Sequence, residues 1–426
     1  MSMIRPLITE NHQKTVDSST VFFNHEKTAE KDKEQPLLAL LAEVGTNQVS
    51  MELVDLESYE SIAETHFENS MNELAWDMLS RVEAVKSSQT EQVALSSHFF
   101  RKIKEEASRL TEDARSIFFM GLACNSPTAH LLMQQPVGHL GKTPEKFSST
   151  PSFRKSFSDL GFEEWGEGLA ATLPNINTFV GGDNIAALSA VGLHELELVI
   201  DLGASCEFFL KKGTTVYATS CESRPIFEGY SLDLLEPLRP GSIIDFEIEE
   251  NSCIWKTFEN KPISRFSIYG LLHLFSHFLQ EGYINPQGKF SADTPFTKVG
   301  SRLLLDEEAQ LYLSEKDIQV LRFVKGSISS ALTILLKKSQ LGLGEITGVT
   351  ILGQSHNHLF EDSLIKSGFL AEEFSGKMRF AGNPVIEGMK KRLRGQEEPV
   401  GPLDYIELSV VPGYYQLLAQ AMQLRN

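Results

Sequence analysis

Two segments of the chain set an acid before a glycine in the same way. In the first, Ala39-Leu40-Leu41-Ala42 leads to Glu43 and then to Val44-Gly45-Thr46-Asn47, followed by an alternating run from Val49 to Val54. In the second, Leu198-Val199-Ile200 leads to Asp201 and then to Leu202-Gly203-Ala204-Ser205, followed soon after by Phe208-Phe209-Leu210. Each reads as a strand, a glycine turn and a returning strand. Glycine lets a turn approach a ligand closely, and successive N–H groups in such a turn form a concavity for anions. An acid two residues before the glycine can hold a divalent cation, often through water. The chemistry this suits is phosphate and magnesium binding. Glu43 and Asp201 are the metal candidates, and Gly45, Thr46, Asn47, Gly203, Ala204 and Ser205 the phosphate-turn candidates. One such segment alone is most often only a hairpin, its acid a turn cap. Two of them, each opening one half of the chain, suggest a duplicated nucleotide-binding core with phosphates clamped between lobes.

Residues carrying that chemistry need two layers of structure around them. At 426 residues the chain is too long for a single small core, so two lobes are expected. The division predicted here is a polar tail over 1–36, a first lobe over 37–195 and a second over 196–426. Helices are expected around Ser70 to Lys86, Ser97 to Thr111, Ile185 to Val191, Ile268 to Glu281 and Glu315 to Lys338, the last with Ser314 as N-cap. Buried strands are expected at Ile117 to Ala123 and Gly348 to Leu352, and an irregular excursion over Thr143 to Glu164. Strands followed by helices indicate an α/β fold.

Composition narrows the partners. A formal charge of −18 argues against nonspecific binding to nucleic acid or to an anionic membrane surface, while leaving room for a local phosphate site. Cys124, Cys206, Cys221 and Cys253 show no C-x-x-C spacing, so neither a structural zinc site nor an iron–sulfur cluster is expected. With no signal-like apolar start, they suggest reduced thiols and a cytoplasmic location. No segment reads as membrane-spanning.

Other residues are weighed against plainer roles. Asp183 precedes a helix, where a plain N-cap is its simplest role. Cys221 reads best as a buried structural thiol. His273 and His277 have a metal-compatible spacing but no third ligand in view, and His356 and His358 carry no metal signal either. Lys390-Lys391-Arg392-Leu393-Arg394 is the strongest basic cluster, a solvated helix end by default and a docking patch for an acidic partner as the sharper alternative.

Five short motifs occur in an order that resembles a known family. Glu43-Val44-Gly45-Thr46-Asn47 stands where that family has Asp-Ile-Gly-Thr-Thr, and Phe179-Val180-Gly181-Gly182-Asp183 where it has Phe-Val-Gly-Ala-Asp. Asp201-Leu202-Gly203-Ala204-Ser205-Cys206-Glu207 stands at Asp-Ile-Gly-Thr-Asn-Gly-Glu, and Ser220-Cys221-Glu222-Ser223-Arg224-Pro225-Ile226-Phe227-Glu228-Gly229 at Ser-Cys-Ala-Ala-Gly-Pro-Ala-Phe-Glu-Gly. Gly382-Asn383-Pro384 matches a late Gly-Asn turn. Over roughly 37–426 the chain thus resembles the actin-like ATPase domain of the reductive activators of corrinoid proteins. These belong to the superfamily of acetate and sugar kinases, heat-shock cognates and actin, abbreviated ASKHA. The resemblance implies a two-lobed actin-like, sugar-kinase-like fold. It also implies ATP and magnesium as cofactors, Asp183 and Asp201 as catalytic residues, and Gly270 and Gly353 as further nucleotide contacts.

The departures bear on activity. Family members deliver an electron to the corrinoid cobalt from an iron–sulfur domain, whereas the tail here is too short for one, so a separate electron donor would be needed. The family's Cys-Gly-Ser-Gly loop appears as Ser267-Ile268-Tyr269-Gly270, and its Ala-Gly-x-Phe-Gly turn as Leu352-Gly353-Gln354-Ser355-His356. Glu43 is one methylene longer than Asp, and Cys206 replaces a glycine. Three functions follow: an ATP-dependent activator of a corrinoid protein in a methyl-transfer system, a degenerate paralogue that binds such a protein or its activator without turnover, and, ranked lowest, a small-molecule kinase. Assembly as a homodimer is left open.

Overall fold

A computed structural model of the chain describes residues 36–75, 77–140, 151–176, 180–249, 252–353, 358–396 and 402–424. The polar tail up to residue 35, residues 143–150 of the expected excursion, Phe179 and the Gln354-Ser355-His356 turn lie outside the described residues. The chain divides into two units, Met1–Gly192 with Asn383–Leu403, and Leu193–Gly382 with Asp404–Asn426.

The first unit contains β1 (Leu38–Val44), β2 (Gln48–Asp55), β3 (Ser61–Glu68), α1 (Met78–Val85), α2 (Gln89–Leu110), β4 (Ile117–Cys124), α3 (Ser126–Leu132), β5 (Arg154–Ser156), β6 (Leu169–Thr172) and α4 (Gly182–Val191). Its sheet has the order β3-β2-β1-β4-β6-β5. The β1–β2 and β2–β3 pairs are antiparallel, and β1–β4 and β4–β6 are parallel. Strands β1 and β4 are almost wholly buried, which is why both read as near-continuous apolar runs rather than as alternations. The expected helix from Ser70 is instead a short 3-10 turn over Ser70–Glu73 followed by α1.

The second unit contains β7 (Glu197–Leu202), β8 (Ser205–Lys212), β9 (Thr215–Glu222), β10 (Ile243–Glu249), β11 (Ser252–Thr257), α5 (Ile268–Gln280), β12 (Thr297–Val299), β13 (Arg302–Asp306), β14 (Leu311–Ser314), α6 (Glu315–Ser339), β15 (Gly348–Leu352), α7 (His358–Lys366) and β16 (Met378–Gly382). The chain closes with α8 (Val385–Leu393), β17 (Leu403–Ile406) and α9 (Tyr414–Ala421). The large sheet has the order β16-β15-β7-β8-β9-β17. Again the hairpin strands β7–β8 and β8–β9 are antiparallel and β7–β15 and β15–β16 parallel. The series β3-β2-β1-β4-β6 and β9-β8-β7-β15-β16 therefore match strand for strand in order and direction. This is the duplication that the two hairpins implied, and the fold is the α/β actin-like, sugar-kinase-like one.

Ser314 caps α6 as its position predicts, accepting from the Asp317 N–H at 3.1 Å while Asp317 returns to Ser314. Helix α6 is long and apolar enough to cross a membrane, but 72% of that stretch is buried inside the protein, as for a core helix. Its Lys325 and Arg322 reach the last carbonyls of α9, with Lys325 Nζ 2.8 Å from Ala421 O and Arg322 Nε 3.0 Å from Met422 O. Cations at a helix C-terminus satisfy orphan carbonyls and oppose the macrodipole.

The expected division after residue 195 does not hold for α8, which belongs with the first unit. Its apolar face, Val385, Ile386, Met389 and Leu393, is buried in the first unit, and Gly388 sits so close to the Ala186 backbone of α4 that a Cβ would collide. The basic cluster on this helix is neither a solvated end nor a docking patch. Lys390 pairs with Glu52, Lys391 donates to Ala190 O at 2.7 Å, Arg392 is buried against Ser189, and Arg394 donates to Tyr59 O at 3.0 Å. Four cations that look like surface charge are spent holding the helix down.

Candidate functional site

In the first unit the turn Gly45–Asn47 leaves the carboxyl end of β1, beside the carboxyl end of β4. That end of parallel strands is where ligands bind in open α/β sheets. Gly45 allows a close turn: a Cβ there would stand 2.9 Å from Gln48 O. Two asparagines from the segment after β3 brace the turn from its own carbonyls. Asn69 Nδ2 donates to Gly45 O at 2.8 Å, Asn69 N–H to Asn47 O at 2.9 Å, and Asn72 Nδ2 to Asn47 O at 3.1 Å. Arg81, itself buried, holds Asn72 Oδ1 at 2.5 Å. With its carbonyls tied back, the turn keeps one conformation, which is what a preorganised anion site requires.

Glu43 is half-buried and accepts a hydrogen bond from Asn383 Nδ2. Asp183 is the second residue of α4, whose N-cap position is Gly181, so its carboxylate acts from inside the first turn. Its Oδ1 accepts from Asn184 N–H at 2.9 Å. Gly181 is wedged against the end of β4: a Cβ there would lie 2.6 Å from both Cys124 O and Asp183 Oδ1. Burial, and then the Asp183 carboxylate, push the Cys124 thiol well above its ordinary range. The carboxyl ends of β1 and β4 thus bring Gly45, Glu43 and Asp183 to one end of one sheet.

Behind the braces lies a cavity of about 570 Å³ lined by, among others, Asn69, Asn72, His98, Arg101, Glu68 and Glu73. Both signs of charge face it, so it is not an electropositive phosphate funnel.

The second unit builds its turn with different residues. Gly203 N–H donates to Ser205 O at 3.1 Å, and Ser223 Oγ donates to Gly203 O at 2.7 Å. The open side of Gly203 is sparsely occupied: a Cβ would find only Ser205 O at 3.5 Å and Glu228 Oε1 at 3.8 Å. Asp201 lies opposite Glu207 across β7 and β8, and Ser205 Oγ donates to the buried Glu207 carboxylate. Cys206 lies opposite Cys221 on the other face. Burial first, then the Cys221 thiol and the Glu207 and Asp201 acids, hold the Cys206 thiol far above its usual range, as befits an inert buried thiol.

Gly353 follows β15, the parallel neighbour of β7, with φ +110°, a conformation that favours glycine. Its N–H donates to Gly382 O at 2.9 Å, and a Cβ would lie 2.9 Å from Leu202 O, so it shares the strand end with the Gly203 turn. Gly270 stands apart in character. It is the third residue of α5, capped by Ser267, and its Cα face packs onto the Ile243 backbone of β10. Ile268 is buried and Tyr269 stacks edge-on against Phe360, with ring centroids 5.1 Å apart. Helix packing accounts for these residues.

His273 Nδ1 lies 2.8 Å from Asp245 Oδ1, and His277 packs on Phe246. Among the described residues no three His, Cys, Asp or Glu side chains cluster as a metal site. A magnesium ion held through waters and phosphate oxygens needs fewer protein ligands than that, and carboxylates such as those of Glu43 and Asp201 are the donor type it takes. Sequence reasoning missed the braces Asn69, Asn72 and Ser223. Asn69 and Asn72 are isolated polar residues more than twenty positions from Gly45, and Ser223, though inside a quoted motif, lies twenty from Gly203, so none points locally to its turn.

Comparison with known proteins agrees with this architecture. Residues 38–196 match the model of the RACo middle region, and residues 195–426 match that of the C-terminal domain of RACo, the ASKHA domain. The corrinoid activation enzyme RamQ of Eubacterium limosum is 21% identical over 392 residues, covering 86% of this chain and 66% of RamQ. A solved reductive activator for a corrinoid, iron-sulfur protein superposes with a TM-score of 0.78 at 21% identity, covering 93% of this chain and 67% of that one. The chain thus spans about two thirds of the length of these relatives. With more than half of its residues in the C-terminal model and most of the remainder in the middle one, the chain belongs to the RACo family of ASKHA-domain proteins.

Proposed function

We propose that this chain binds ATP with magnesium and acts on a corrinoid protein of a methyl-transfer system, supporting ATP-dependent reductive activation with an electron from a separate donor. The observation that carries this reading is the repeated hairpin: two glycine turns, each braced at its carbonyls and each next to an acid at a strand's carboxyl end. RamQ and the solved activator, both named for corrinoid activation, support the choice of partner. Backbone N–H groups of Gly45–Asn47 and Gly203–Ser205 bind phosphate oxygens, Glu43 and Asp201 hold metal waters, and Asp183 orients the attacking water. Bound ATP supplies the free energy that drives the uphill electron transfer in the partner.

The test is calorimetry of ATP binding, wild type against Gly203→Val, followed by cobalt reduction in a corrinoid protein with a chemical one-electron donor, with and without ATP. Tight ATP binding lost in Gly203→Val, together with ATP-dependent cobalt reduction, supports the reading. No ATP or ADP effect on melting temperature at millimolar nucleotide removes it.

The packing of Ile268 and Tyr269, where the family loop has small residues, favours a second reading. In it the protein binds the corrinoid protein or its activator without turnover. Binding of ATP with no hydrolysis, and with partner capture intact in Asp201→Ala, selects that one.

A further inference from the structure

Asn383 is placed where the chain crosses from the second unit to the first, and both ends of its amide are in use. Its Oδ1 accepts from the Val385 N–H at the start of α8 at 3.3 Å, which leaves the NH₂ end to donate to Glu43 Oε2. The preceding residue is also tied, since Gly382 O accepts from Gly353 N–H at 2.9 Å.

We infer that Asn383 is a positioning residue for Glu43. A glutamate has one more rotatable bond than an aspartate, so a metal-bound water gains from a donor that fixes the carboxylate. Asn383 supplies that donor, and the α8 backbone fixes which way its amide points. The ligand class is the magnesium complex of a nucleoside triphosphate, and the inference rests on the nucleotide reading proposed above.

The aspartate variant separates the two jobs of this side chain. Asn383→Asp keeps an acceptor for the Val385 N–H, so α8 stays capped, but it turns a carboxylate toward the Glu43 carboxylate. Calorimetric ATP titrations at stepped magnesium concentrations then read the effect in wild type, Asn383→Asp, Asn383→Ala and Glu43→Gln. The expected result is that Asn383→Asp raises the magnesium needed for half-maximal ATP binding by about tenfold. Its melting temperature without nucleotide stays within a few degrees of wild type. Glu43→Gln accepts the Asn383 amide but carries no charge, and in that background the change at 383 should have little further effect. If Asn383→Asp binds ATP with wild-type magnesium dependence while Glu43→Gln does not, the inference is overturned. If Asn383→Asp unfolds, Asn383→Ala carries the same comparison. If wild type binds no ATP at any magnesium concentration, the nucleotide reading itself has failed and this inference goes with it.

Discussion

Lys390 Nζ lies 2.7 Å from Glu52 Oε2, with only 12% and 18% of the two side chains exposed. A pair so far out of water differs from an exposed one, because removing either partner strands the other charge in a poorly hydrated place. Next to it Arg392, 1% exposed, donates to Ser189 Oγ at 3.2 Å. Lys390→Met is therefore expected to lower the stability of the first unit by about 1–3 kcal/mol, and Arg392→Met, which leaves the buried Ser189 hydroxyl without that donor, by about 1–3 kcal/mol. Urea unfolding followed by tryptophan fluorescence measures both. A change under about 0.5 kcal/mol in each would mean that these cations face water after all.

The asparagine braces give a second prediction, linking packing to the site. Asn69 is fully buried and its side chain both donates to Gly45 O and accepts from Met71 N–H. Asn69→Ala leaves a half-buried carbonyl and a buried N–H without that partner, at a cost of about 1–3 kcal/mol. Because the lost bond holds the turn itself, ATP affinity should fall with stability. Asn69→Ala that melts early but binds ATP as wild type does would show that the Gly45 turn holds its form unaided.

What the sequence made legible follows from the physics of each element. The hairpins and β4 were readable because a strand buried on both faces is written as a local apolar run. Helix α6 was readable from its cap Ser314 and its long period. Helix α8 was misread for the opposite reason. Its cations are surface-like in sequence, and their partners Glu52, Tyr59, Ser189 and Ala190 lie more than two hundred residues away along the chain. At Gly270 the tertiary contact with the Ile243 backbone supplies a packing reason for glycine that the local sequence does not show.

Those two glycine roles predict opposite outcomes for the same substitution. At Gly203 a Cβ meets nothing nearer than 3.5 Å, so Gly203→Ala should fold with a melting temperature close to wild type. On the proposed nucleotide reading the methyl group would still occupy the face a phosphate approaches, and ATP affinity should drop about tenfold or more. At Gly270 the added carbon collides with the Ile243 backbone, so Gly270→Ala should cost about 1–3 kcal/mol in the second unit. In the folded fraction its nucleotide affinity should be unchanged. Thermal melts paired with calorimetry distinguish the two. Weakened binding in a fully folded Gly270→Ala would return that glycine to the site.

Stability should also fall in mild acid through His130. This residue is buried, its Nδ1 2.8 Å from Ser126 O, with the His139 ring 5.4 Å away. Burial is the main reason its pKa lies below the ordinary histidine value; His139 adds to the lowering and the Ser126 carbonyl works against it. The folded state therefore refuses a proton that the unfolded chain accepts once the pH drops below about 6.5. Above that pH the contribution of the neutral ring is complete. Below it, stability falls by up to about 1.4 kcal/mol per pH unit until the folded-state value is reached, after which this residue adds no further loss. His277 is shifted the same way, again chiefly by burial. Asn can keep the donor to Ser126 O but cannot take up a proton, so His130→Asn should show a smaller fall in melting temperature between pH 7.5 and pH 5.5 than wild type. Adding His277→Asn should flatten the profile further. Equal falls in wild type and the double variant would assign the acid sensitivity to other groups.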